Sequence, residues 1–106
     1  MEGKAIVDSV IRETVEPGVQ RLMECRYFSE LRAGTLSVKR LQGWAVQHYL
    51  HNQAILKGFA LAMVKNAHDP VLYGHFEGQF SEEQSHPDMA KRFGLLIGLQ
   101  EDDFAD

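Results

Sequence analysis

Cysteine is nearly absent. Cys25 stands alone, so no intrachain disulfide can form, and a reducing cytoplasmic setting is expected. No Cys pair offers zinc-site spacing, and Cys25 with a distant histidine makes no recognisable nucleophile pair. Proline is confined to Pro17, Pro70 and Pro87, each read as a punctuation point between helices. Long hydrophobic runs are also lacking. The most apolar stretch is cut by Lys57 and by a Gln/His cluster, which excludes a membrane span, and Met1–Ala5 has no signal-peptide core. There is no basic block, and the net charge of −4 mixes both signs, so a nucleic-acid partner is not expected. No segment alternates with period two. No Gly-rich phosphate loop follows a strand. What remains is an all-α fold.

The chain has 106 residues, of which 44% are hydrophobic. That is enough for one small domain spanning residues 1–106, burying about two-thirds of its unfolded surface. Residues 36–66 dominate it. Val38, Leu41, Ala45, Tyr49, Leu56, Phe59 and Met63 recur at helical spacing. The helix is about 45 Å long at 1.5 Å per residue, with Ser37 placed to cap it. Gly43 and Gly58 each weaken a helix by roughly 1 kcal/mol against Ala, which suggests close helix–helix approach at both. Gln47, His48, His51, Asn52 and Gln53 interrupt its apolar middle. Two readings stay open: a solvated stripe or hydrogen-bonded core imidazoles, or a polar patch, with Gln47, His48 and His51, lining a ligand pocket in a bundle.

Around this helix the sequence predicts shorter ones. Ala5–Val15 is amphipathic, broken by Pro17-Gly18 and resuming over Val19–Met23. Tyr27, Phe28 and Leu31 make one side of a helix ended by Gly34. Asp69 as cap and Pro70 at the first turn start a helix carrying Leu72, Phe76 and Phe80. A last helix over Asp88–Leu96 turns Met89, Phe93 and Leu96 inward, and Gly98 ends it. Leu99–Phe104 resembles the start of another.

The chemistry-bearing stretch is Ser81–Pro87. Glu83 and His86 are three apart, a spacing that lets a carboxylate and an imidazole meet one metal ion from one helix face, as in carboxylate di-iron bundles. On spacing alone the same residues suit a solvated helix end better, with Pro87 closing the helix before His86. His75, about two helical turns before Glu82, is expected at the surface.

Three stretches carry a family resemblance. Arg21–Ser37 resembles the opening of the haem-oxygenase-like superfamily. Leu41-Gln-Gly-Trp-Ala-Val-Gln-His-Tyr-Leu-His-Asn-Gln-Ala-Ile55 is similar to the long helix of pyrroloquinoline-quinone synthase (PqqC). His86-Pro-Asp-Met-Ala-Lys-Arg-Phe-Gly-Leu-Leu-Ile-Gly-Leu99 looks like a helix of the superfamily's iron oxidases. The resemblance implies a helical bundle around a cavity, in a family that includes PqqC, TenA-type thiaminases and non-haem iron oxidases. By that resemblance Glu83 and His86 fall on metal-ligand positions for iron, as a single ion or a di-iron pair, with Glu82 the alternative carboxylate ligand because the local spacing varies between relatives. The chain would then oxidise a small organic substrate with O2. Where PqqC-like enzymes carry Arg, Gln and Lys, this sequence has His48, Asn52 and Gly58, which speaks against quinone synthesis. The family's domain is about twice this long, and the thiaminase cysteine belongs to its other half. The expectation is a half-length bundle completed as a homodimer, catalytic or serving as a non-catalytic small-ligand-binding or scaffold module.

Overall fold

The computed structural model describes residues 2–105. Every regular element among them is helical. The chain divides into two compact units, with the boundary between Ser37 and Val38.

The first unit opens with a helix that runs through its proline. α1 (Glu2–Val10) passes into a π turn (Ile11–Val15), then into α2 (Glu16–Met23) without a break. Pro17-Gly18 therefore does not interrupt the helix, contrary to the sequence expectation. Proline has no N–H to give and its ring crowds the preceding turn. The wider π turn takes up the misfit just before it, with Glu16 N–H bonded to Ile11 O. Cys25, in extended geometry, separates α2 from α3 (Arg26–Ala33). Tyr27 meets Phe28 edge to face, with centroids 5.4 Å apart. Gly34 ends α3 at φ 73°, a left-handed geometry that favours glycine. Thr35 N–H then reaches back to Glu30 O at 2.9 Å, as in a Schellman end.

The second unit is built on α4 (Val38–Lys65), 28 residues or about 42 Å. α5 (Pro70–Glu83) and α6 (His86–Leu96) both pack on it. Asp69 caps α5 by accepting from Val71 N and Leu72 N at 3.0 and 3.2 Å, and Pro70 needs no partner there. The core sits where α4 meets α6. Ala45 of α4 is fully buried, Ala90 and Gly94 are buried on α6, and Phe104 packs against Gly94. Phe104 comes from a short 3-10 turn (Glu101–Phe104) held by a reciprocal Gln100–Asp103 capping box. Its ring meets Tyr49 edge to face at 5.2 Å. Gln42 Nε2 donates to Ile97 O at 2.8 Å, tying α4 to the end of α6. Gly98, at φ 101°, completes a Schellman end with Leu99 N–H on Gly94 O.

Three sequence expectations change here. The close approach is not at Gly43 or Gly58, where an added Cβ meets nothing within 4 Å. The crowded glycine is Gly94, and its neighbours are side chains from the chain that follows α6: a Cβ would lie 2.5 Å from Phe104 Cζ and 2.9 Å from Leu99 Cδ1. α6 begins at His86, two residues before the expected start. Its inward face is Pro87, Ala90 and Gly94, while Met89 is 54% and Leu96 85% exposed. Gly94 is small where the Phe104 and Leu99 side chains pack against α6. The large side chains stand beside this Ala90–Gly94 seam.

Candidate functional site

A pocket of about 410 Å³ opens between α4 and α6. Trp44, His48 and Asn52 line it from α4, and His86, Met89, Ala90 and Phe93 from α6. The α4 residues are four apart, one stripe of a helix. The α6 residues come from the side next to the Ala90–Gly94 seam, which fixes the pocket beside the best-packed part of the unit.

The walls are mostly rings. Trp44 stacks on His48 with centroids 4.6 Å apart and planes 13° from parallel. Phe93 meets Trp44 edge to face at 5.8 Å. Such pairs contribute about 0.5–1.5 kcal/mol beyond their buried area, so they hold the indole in a fixed orientation. At the base lies Asn52, 4% exposed, whose Nδ2 is buried and has no hydrogen-bond partner. An unpaired buried donor costs about 1–3 kcal/mol. Nδ2 itself is closed to solvent, so an acceptor from a bound molecule would satisfy it once the amide turns toward the cavity.

Glu83 and His86 meet at the α5–α6 junction. Pro87 starts α6 instead of ending α5, so Glu83 is the last residue of one helix and His86 the first of the next. Across that turn His86 Nδ1 lies 2.5 Å from Glu83 Oε2. A carboxylate on Nδ1 orients the ring and leaves Nε2 as the atom a ligand, proton or metal can meet. Both side chains are partly exposed, 43% for His86 and 25% for Glu83. Glu82 is exposed. Among the described residues no group of three or more His, Cys, Asp or Glu is placed to hold one metal ion.

The expected pocket residues divide. His48 lines this pocket. His51 lies 6.5 Å from the His48 ring but lines a separate open groove of about 480 Å³ between α4 and α5. Gln47 is exposed and lines neither. Trp44, Met89 and Phe93 are not singled out by the sequence as site residues, whereas Asn52 belongs to the polar group whose alternative reading is a pocket lining. The Trp44, His48, Asn52 spacing of four is the signal that could have found the α4 wall.

The helices and the pocket define the class: an all-helical domain with a ring-lined cavity against its longest helix. Residues 14–104 match the model of the TENA/THI-4/PQQC family, and the chain belongs to that family, within the haem-oxygenase-like superfamily. No curated protein and no solved structure matches the chain significantly.

Proposed function

We propose that the chain binds a small, flat organic molecule in the pocket between α4 and α6. The observation that carries this reading is Asn52: a buried amide donor without an acceptor, at the base of an apolar, aromatic cavity. Proteins rarely leave such a group unpaired. A ligand ring would lie against Trp44 and Phe93, exclude water, and present a carbonyl or ring nitrogen to Asn52 Nδ2. His86 Nε2, held in register by Glu83, would accept or deliver a proton at the ligand's exposed edge. The pocket is open on one side, and we take the working unit to be a homodimer in which a second copy supplies the missing cover. Among the described residues no helix is long and apolar enough to cross a membrane.

Trp44 is the chain's only tryptophan, so intrinsic fluorescence reports this pocket directly. Screening flat heteroaromatic fragments should find quenchers whose affinity falls at least about tenfold in Asn52→Leu, the loss expected for one hydrogen bond left unmade by a buried partner. Quenching that is indifferent to residue 52 would refute the assignment.

Iron-dependent oxidation with O2 is the second reading, favoured by the Glu83–His86 contact. A non-haem iron would supply the redox chemistry when bound. One carboxylate and one imidazole fall short of the three protein ligands of a 2-His-1-carboxylate site, so one copy of this chain does not fit an iron centre. The oxidase reading needs further ligands from another chain. Elemental analysis of wild type and His86→Ala decides it: iron in the first and none in the second supports an oxidase, and two metal-free samples remove it.

A further inference from the structure

We infer that the helix over residues 2–23 docks through one continuous apolar face into the α4–α5 groove of a second copy. This inference rests on the homodimer reading above and names its contact surface.

The face exists because of the π turn. An α-helix advances about 100° per residue. On an unbroken helix Val15, Val19 and Leu22 would lie about 160–220° round from Ile6, away from Val7 and Val10. A π turn acts as a one-residue insertion and turns the later residues back by about 100°. With the turn at Ile11–Val15, Val15, Val19 and Leu22 fall at about 60–120°. That is the sector occupied by Ile6, Val7 and Val10. Two half-stripes thus become one, running the length of the helix. All six are exposed, from 47% for Val15 to 64% for Ile6, and no residue of α1, the π turn or α2 is buried.

The groove has the opposite shape. Ala54, Gly58 and Ala62 form its floor at steps of four, with Ile55, Phe59 and Phe76 beside them. A Cβ added at Gly58 meets nothing within 4 Å, so the floor is open and takes branched side chains from outside. Beside the groove α4 carries Lys57 and α5 carries Glu77, so the fit rests on shape and buried area. Each chain has one such face and one such groove, so a two-fold exchange satisfies both and closes the assembly. The six side chains expose on the order of 550 Å², and with the groove lining counted two symmetric contacts would bury on the order of 1,300 Å², the lower end of the range for a stable interface.

Sedimentation equilibrium of the full chain from about 1 to 100 μM tests this. Val10→Asp/Val19→Asp puts carboxylates on the face, Ala54→Trp fills the groove, and Ala5→Asp places a charge on the opposite side of the helix as a control. Circular dichroism checks that helix content is unchanged. The expected result is a wild-type dimer, a Kd raised at least about 100-fold by either of the first two variants, as desolvating an unpaired charge or blocking the groove demands, and an Ala5→Asp dimer like wild type. A dimer that survives the face variant or the groove variant overturns this surface and leaves the homodimer reading standing. A wild-type chain that is monomeric throughout overturns both.

Discussion

Replacing Asn52 by leucine separates stability from function in one step. Asn52 is 4% exposed, and its Nδ2 has no partner. Leucine is close in volume and asks for no hydrogen bond. Removing an unsatisfied buried donor recovers about 1–2 kcal/mol of the desolvation cost. Leucine also keeps apolar contact with the ring walls. A domain of this size shifts by roughly 4–8 °C in Tm per kcal/mol, so Asn52→Leu should melt roughly 5–15 °C above wild type. Differential scanning calorimetry on the ligand-free protein reads that directly. The same variant should lose the fragments that quench Trp44. A site held at the expense of stability is the usual mark of a functional residue. If Asn52→Leu instead lowers Tm by several degrees, the amide is a structural group and gives no sign of a ligand at that position.

Other perturbations test the packing that positions the pocket. Gly94→Ala drives a methyl to within 2.5 Å of Phe104 Cζ and should cost about 1–3 kcal/mol by overpacking, read as a lower urea midpoint. Gly43→Ala, where a Cβ meets nothing within 4 Å, should gain up to about 1 kcal/mol from helix propensity, and a loss there would show that something covers that face. The Lys91 ammonium lies 2.5 Å from Glu101, and its hydrogen bond to that carboxylate holds it above the ordinary lysine pKa. A raised folded-state value stabilises fully below the unfolded pKa of about 10.4 and is lost as pH rises through the folded one. The Tm advantage of wild type over Lys91→Met should therefore be flat well below the unfolded lysine pKa of about 10.4 and shrink as pH rises above it. An advantage that grows above that pKa would contradict the pairing.

Local signals carried most of the fold. Asp69-Pro70, Gly34 and Gly98 act through geometry that a few neighbouring residues determine, and the helix boundaries they mark agree with the structure. What a short window cannot show is a bond pattern that changes along a helix. Pro17 reads as a break, yet the π turn before it absorbs the missing N–H. Nor can it show which residues face a partner. Met89, Phe93 and Leu96 have core character, but the buried positions of α6 are Pro87, Ala90 and Gly94, and Gly94 is where the Phe104 and Leu99 side chains pack. Glu83 and His86 were legible as a pair, and the structure brings them together. The pocket itself was only half legible. His48 belongs to it and His51 faces another groove, since three residues on a helix differ by about 60° in direction. Trp44 and Phe93 become a wall only through the crossing of α4 and α6.

The most direct test of a ligand in the α4–α6 pocket is the side-chain amide of Asn52 observed by nitrogen-15 NMR while a Trp44-quenching fragment is titrated. Formation of the missing hydrogen bond should move an Asn52 NH2 proton downfield and slow its exchange in step with the fluorescence change. Saturation of the Trp44 signal with the Asn52 resonances unmoved would contradict it.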